Sequence, residues 1–333
     1  MLKVVFKSLE KAEENIDLVN QPFNERLKLN QLLLEVLFFP INPADLLLLE
    51  GKYGTSPQSL PSGLGAECIA RVIKKGQKVT KFCIGDIVIP LTRNNWAEKI
   101  KITESNVIKV SNKINLLQAS MLKVNPATAY LMLNNYVKLN SGDKILQNAA
   151  NSGVGNYVIQ LCNHYNIKTF NVIRRPELIK ELKKIGANNI IVDDKENKND
   201  ILKKKNQFKL FLDAIGGPKV DYWASHLQDH STIINYGLLS GKKIQLDTQK
   251  VIFKNISLKG FWLSLWLQQM TYKDKFKLYN HLSDLIINNI LYTNIEKVFH
   301  INNIKKAVKR ANTYKRQGKI LVSFDKDLIN KYN

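Results

Sequence analysis

Cysteine is scarce in this chain. Three residues, Cys68, Cys83 and Cys162, lie scattered through 333. They are too few and too far apart for a disulfide framework or a zinc site, so the sequence implies a reducing compartment and no bound metal. The five histidines, His164, His226, His230, His281 and His300, show no ligand spacing either. Long apolar runs are missing. Segments such as 46–49 and 69–73 have the length of core elements, far short of the roughly 20 residues of a membrane span. Acidic residues are few, 28 against 50 Lys and Arg, which leaves a formal charge of +22. The lysines are spread along the chain among asparagines, with no basic stripe interleaved with aromatics. The excess therefore reads as solvated faces, and no specific nucleic-acid partner is expected; it does favour phosphorylated ligands. No Arg- and Ser-rich, acid-poor leader precedes the first alternating segment, Leu2-Lys3-Val4-Val5-Phe6. That implies a cytosolic protein, an unusual import route or a mature chain.

What the chain does have is apolar content, 44% of its residues, enough for a sizeable core shared between two domains. Up to about residue 118, short alternating segments (32–38, 67–74, 87–90 and 96–102) are punctuated by Gly and Pro and predict a mostly β domain. From 119 the rhythm becomes strand–helix alternation. It predicts helices at 119–121 and, after a break at Asn125-Pro126, at 128–136. A strand at 144–147 and a helix at 155–165 follow, then a strand at 169–173, a helix at 177–185, and strands at 190–193, 208–214 and 231–237. This is a parallel, doubly wound α/β sheet extending to about 265. A segment from 266 to 333, with a helix at 274–289 and a strand at 318–322, returns to the first domain.

The densest signal is Gln147-Asn148-Ala149-Ala150-Asn151-Ser152-Gly153-Val154-Gly155-Asn156. A strand that turns through small residues into a helix aims free backbone N–H groups and the positive end of the helix dipole at one spot, a cradle for a pyrophosphate. Ala150 and Ser152 stand where a G-x-G-x-x-G loop has its first two glycines, and a Ser-capped helix start is the plainer alternative. The second strand ends in Arg174-Arg175, about twenty residues beyond Gly153. An acid there would bind the ribose hydroxyls of NAD; arginine forks match the extra phosphate of NADP. The residues point to NADPH.

Several motifs in order resemble the medium-chain dehydrogenase/reductase superfamily: Asn42-Pro43-Ala44-Asp45 followed by Glu50-Gly51-Lys52-Tyr53-Gly54, the 61–72 segment, Gly76 and Gly85-Asp86. Within it, Val124-Asn125-Pro126-Ala127-Thr128-Ala129-Tyr130, the Asn-Ser-Gly-Val-Gly loop and Gly260-Phe261-Trp262-Leu263-Ser264-Leu265-Trp266 resemble mitochondrial trans-2-enoyl-CoA or enoyl-acyl-carrier-protein reductases. The resemblance implies a GroES-like domain beside a Rossmann domain, residues 1–118 and 266–333 against 119–265. It also marks an absence. Zinc-dependent members carry a Cys where Asn42 stands and a His where Ala66 stands, so the ligands for a catalytic metal are missing.

As the resemblance implies, Tyr53 is the catalytic proton donor in NADPH-dependent reduction of an enoyl thioester of CoA or acyl carrier protein. Asn125, Asn151, Ser152, Gly153, Val154, Arg174, Arg175, Tyr236, Gly237, Leu238, Leu239, Phe261, Trp262, Leu263 and Lys319 contact the cofactor. Trp262 and Trp266 line the substrate pocket. Asn125 is alternatively a helix N-cap, and Trp266 alternatively core. A homodimer joined through edge strands and a mitochondrial location are implied in the same way, with a cytoplasmic location as the alternative. A zinc-free quinone or enone reductase, and a reductase-like structural subunit of a large mitochondrial complex, remain competing functions.

Overall fold

The computed structural model describes residues 1–9, 12–193, 207–313 and 316–332. It comprises two compact units, Met1–Val124 with Met270–Asn333, and Asn125–Gln269.

The first unit is organised by Gln31–Pro40, whose sequence QLLLEVLFFP is buried along nearly its whole length. A strand exposing one face to water alternates; this one is apolar on both faces and needs cover on both. Ile69–Lys75 and Lys99–Thr103 pair with it antiparallel, and near Pro40 so does Lys319–Ser323. The sheet runs outward through Ile87–Pro90 to Val107–Lys109 in one direction and to Ile295–His300 in the other. A three-stranded sheet of Ile16–Asn20, Leu2–Phe6 and Ser62–Gly63 completes the β layer. Helix Ile304–Asn312 closes the core with Ile304, Ala307, Val308 and Ala311, an i, i+3, i+4, i+7 stripe.

The second unit is one six-stranded, wholly parallel sheet. Its order is Asn189–Val192, Lys168–Ile173, Lys144–Gln147, Phe208–Asp213, Leu227–Asn235, Ser257–Gly260. Counted from the first strand of this unit the order is 3-2-1-4-5-6, the dinucleotide-binding arrangement. Its switch point falls between Lys144–Gln147 and Phe208–Asp213, where ligands bind beyond the carboxyl ends of the strands. Among the described residues no helix is long and apolar enough to cross a membrane.

Several elements differ from their expected bounds. The break lies just before Asn125-Pro126, and the helix after it starts three residues earlier than expected, running Asn125–Asn135, because a proline in the first turn sacrifices no intrahelical bond. The helix expected at 119–121 lies earlier, at Leu116–Ala119, fixed by the Asn115 side chain accepting from the Gln118 N–H at 3.1 Å. The expected 177–185 helix starts as a 3-10 turn, Pro176–Leu178, and continues as Ile179–Lys184. The 96–102 strand is shorter at its start; it is Lys99–Thr103, with Ala97 making only an isolated bridge to Lys3.

One close approach sets the geometry of the second unit. A Cβ on Gly155 would lie 2.6 Å from the Ala150 carbonyl oxygen and 2.8 Å from its carbonyl carbon. The helix therefore seats on the loop only because residue 155 has no side chain. Gly155→Ala is expected to lower unfolding free energy by about 1–3 kcal/mol in urea titrations. Gly260→Ala, at a position where a Cβ meets nothing within 4 Å, should stay within about 0.5 kcal/mol. Equal effects of the two would refute the close-packing argument.

Candidate functional site

In the second unit the loop after Lys144–Gln147 is pinned by buried polar groups. Gln147 Nε2 donates to Asn171 Oδ1 at 2.8 Å and to the Gly155 carbonyl at 3.1 Å. Asn148 Nδ2 donates to Asp213 Oδ1 at 2.5 Å, and its own Oδ1 accepts from the Ala214 N–H at 2.7 Å. The buried Asp213 carboxylate also accepts from Asn235 Nδ2 at 2.7 Å and from the Gly216 N–H at 3.0 Å. These bonds tie the first, fourth and fifth strands together where their loops emerge. The left-handed residue of the turn is Ala149, with φ of 47°, a conformation that costs a non-glycine residue roughly 1 kcal/mol or more.

Helix Gly153–His164 follows, with the Ser152 hydroxyl accepting from the Gly155 N–H at 3.1 Å. Ser152 is thus a true N-cap, and the first-turn N–H groups of Gly153 and Val154 have no intrahelical acceptor. The capped-helix reading and the anion-cradle reading describe the same geometry. Asn151 is exposed at the lip of the turn. Across the switch point, Tyr236 has its hydroxyl buried; burial pushes that phenol well up, an effect the Ser152 side chain opposes. Residues from the first and fifth loops therefore meet at Ser152 and Tyr236. Gly237 presses on Ala214, whose carbonyl oxygen would lie 2.5 Å from a Cβ, and Leu238 and Leu239 stand exposed beyond it. Arg174 is exposed and Arg175 half-buried after the second strand. Arg175 lies 3.9 Å from the Glu177 carboxylate, a surface pair of little energetic consequence.

Phe261 is buried and stacked on Trp266 at 6.2 Å, with Tyr136 completing the cluster. Trp266 Nε1 donates to the Tyr136 hydroxyl at 3.3 Å, which donates in turn to the Gly260 carbonyl at 3.1 Å. Phe261 and Trp266 therefore brace the 260–263 turn against Tyr136. Trp262, by contrast, is 37% exposed, and Leu263 opens the helix Leu263–Gln269. Asn125 is the first residue of helix Asn125–Asn135, and its side-chain Nδ2 is buried without a hydrogen-bond partner. A buried donor left open in this way is costly and fits a ligand carbonyl. Together with the capped helix and the two arginines it makes the unit's residues suitable for a dinucleotide phosphate.

In the first unit the positions at which zinc-dependent members hold metal ligands are occupied by a closed polar cluster. Asn42 Nδ2 donates to Glu67 Oε1 at 2.7 Å, and Asn42 Oδ1 accepts from Lys319 Nζ at 2.7 Å. Glu67 Oε2 accepts from the Val124 N–H at 2.8 Å. Lys123 Nζ donates to the Ala66 and Thr92 carbonyls at 2.6 and 2.7 Å. Burial raises Glu67 to about 7 and lowers Lys123 and Lys319 to about 8, against the attraction each exerts on the other. Lys319 was expected to contact a cofactor phosphate. It is buried on the central sheet, where its amine donates to Asn42.

Tyr53 is half-buried against the core of this unit. The Arg93 guanidinium covers its ring at 4.8 Å and Nη1 donates to the phenol oxygen at 3.3 Å. Arg93 lies 3.7 Å from the fully buried Asp45. Arg93 and Lys123 escaped the sequence reading; a Lys or Arg in a loop carries no signal until its burial is known.

The charged cluster makes stability depend on pH in a defined way. The Glu67 contribution is present below its ordinary value of 4.5 and lost as pH rises through about 7. The lysine contributions are present above 10.5 and lost as pH falls through about 8. The cluster therefore favours the fold least between these two values. Replacing Lys123 by Met alone should destabilise by about 3–5 kcal/mol, because it opens the Ala66 and Thr92 carbonyls and removes part of the positive charge that faces Glu67. Lys123→Met with Glu67→Leu should recover part of that loss, and its Tm relative to the parent should be highest near pH 7–8. A relative Tm that does not vary with pH would contradict this.

Residues 28–114 match the family described as alcohol dehydrogenase GroES-like domain, and residues 153–280 the one described as zinc-binding dehydrogenase. A protein of Dictyostelium discoideum described as a mitochondrial enoyl-acyl-carrier-protein reductase is 36% identical over 84% of this chain and 82% of its own length. Among solved structures, the Etr1p/NADP/crotonyl-CoA complex superposes with a TM-score of 0.87 at 25% identity, covering 97% of this chain and 99% of that one. The mitochondrial 2-enoyl thioester reductase Etr1p/Etr2p heterodimer from Candida tropicalis gives the same TM-score, identity and coverage. On this similarity the chain belongs to the medium-chain dehydrogenase/reductase superfamily, in its family of mitochondrial enoyl-acyl-carrier-protein reductases.

Proposed function

We propose that the chain reduces trans-2-enoyl thioesters to acyl thioesters with NADPH. The observation that carries this is the 36% identity over 84% of the chain to a mitochondrial enoyl-acyl-carrier-protein reductase. The Etr1p complex with NADP and crotonyl-CoA supports the same cofactor and substrate class.

Bound NADPH supplies a hydride for C3 of the enoyl group. The chain's residues do the rest. The first-turn N–H groups of Gly153 and Val154, with the Ser152 cap, hold the pyrophosphate, and Asn151 borders it. Arg174 and Arg175 accept the 2′-phosphate, which NADH lacks. The open Asn125 Nδ2 donates to the nicotinamide end, and Tyr236, Gly237, Leu238, Leu239, Trp262 and Leu263 border the cofactor. As negative charge develops on the thioester oxygen, the Tyr53 hydroxyl gives its proton to C2.

The carrier is CoA or acyl carrier protein, both phosphorylated thiols that a chain of charge +22 attracts. A homodimer in the mitochondrion completes the proposal. The edge strand Ser257–Gly260 and the exposed Ile252, Phe253 and Leu258 support the dimer, and the relatives' mitochondrial descriptions support the location.

NADPH consumption with crotonyl-CoA, compared with a quinone, tests the reaction. Crotonyl-CoA should be strongly preferred. Preference for the quinone would replace the proposal by an enone or quinone reductase, and no NADPH binding would favour a structural subunit. Tyr53→Phe should lower kcat by roughly 100-fold or more with little change in NADPH affinity; unchanged turnover would remove Tyr53 from the chemistry. Arg174→Ala with Arg175→Ala should reduce the NADPH-over-NADH preference by about tenfold or more. If the preference is unmoved, the 2′-phosphate is held elsewhere.

A further inference from the structure

We propose that Arg93 is a positioning residue for Tyr53, aiming its hydroxyl hydrogen at the substrate and stabilising the charge left when that hydrogen is transferred. The inference rests on the enoyl reductase reading above. Arg93 touches Tyr53 in two ways. Its guanidinium lies over the ring face, 4.8 Å from the centroid, a cation–π contact that restricts the ring's rotation. Its Nη1 donates to the phenol oxygen at 3.3 Å. A guanidinium has donors only, so it occupies a lone pair of the phenol oxygen, and the hydroxyl hydrogen must point away from it.

The C3–H bond forms with the hydride pair from NADPH, leaving NADP⁺. The electron pair displaced toward the thioester then forms the C2–H bond with the Tyr53 proton, and the O–H pair remains on the phenol oxygen. That oxygen becomes negative beside a side chain that never gives up its own charge, and solvent restores the proton.

The support for Arg93 is buried and specific. Asp45, fully buried, lies 3.7 Å from Nη2. It is itself fixed by the N–H groups of Asn42 at 3.0 Å and Ala66 at 2.9 Å. The backbone on the other side of Arg93 is held as well. The Thr92 carbonyl accepts from Lys123 Nζ at 2.7 Å and from Asn95 Nδ2 at 2.9 Å. Asn94 turns the chain with φ of 68°, a left-handed conformation in which asparagine is favoured among side-chain-bearing residues. The closed cluster around Lys123 thus has a task at its rim: it anchors the loop that presents Arg93 to Tyr53.

The test is a double-mutant cycle with isotope effects. Arg93→Gln should lower kcat for crotonyl-CoA by about 10- to 100-fold with NADPH affinity unchanged. The solvent deuterium isotope effect should grow and the effect of deuterated NADPH shrink as protonation becomes limiting. Arg93→Lys should recover part of the rate, and in a Tyr53→Phe background Arg93→Gln should cost nothing further. Equal loss in both backgrounds, or a loss with unmoved isotope effects, overturns the inference while leaving the reading intact. A Tyr53→Phe variant as active as the parent overturns the reading instead. A readout independent of turnover accompanies these: the ¹³Cζ resonance of Tyr53, assigned by its absence in Tyr53→Phe, should shift or broaden in both Arg93 variants. An unchanged resonance overturns the positioning role.

Discussion

Asn42 stands between a buried carboxylate and a buried ammonium, donating to Glu67 and accepting from Lys319 277 residues away in sequence. An ionised group removed from water costs several kcal/mol unless it is matched, so this one amide makes the interior of the first unit tolerable. Glu67 is matched again by the Val124 N–H, and Lys123 by two carbonyls. The zinc-dependent members of the superfamily place a cation at these positions with thiolate and imidazole ligands, as the resemblance implies. Here covalently attached ammonium groups supply the positive charge, and the donors around them are amide and carboxylate.

The second unit solves a related problem with side-chain amides gathered around one carboxylate. Gln147 and Asn171, and then Asn148, Asp213 and Asn235, link the carboxyl ends of neighbouring parallel strands. Each bond fixes a loop that begins where its strand ends, so the sheet acts as a rigid base and its loops carry the ligand contacts. The strained Ala149 and the crowded Gly155 are held in place by that base.

What the sequence disclosed was local. The strand–turn–helix from 144 to 164 was legible because apolar periodicity, a Ser cap and a required glycine lie within twenty residues of one another. The α/β architecture was legible from the alternation of such units. Most of what it hid involves distant partners. Lys319 reads as a surface lysine until its strand is known to pair with Gln31–Pro40. Phe261 and Trp266 read as pocket aromatics until Tyr136 is found beside them. Tyr53 was found through its motif, but its companion Arg93, forty positions later, has meaning only through a stacking contact. Asn125-Pro126 misled for a different reason: a proline marks a boundary equally well from inside the first turn.

The first unit is interrupted: the chain leaves it at Val124 and re-enters at Met270. During synthesis the contiguous second unit has all its strands in hand once residue 260 has emerged, whereas the first waits for Lys319–Ser323 to fill its place beside Gln31–Pro40. Until then Asn42 and Glu67 face an open sheet edge without the ammonium that completes their cluster. The earliest-made part of the chain is thus the last to be finished, and its longest apolar strand is the segment most in need of shelter on the way.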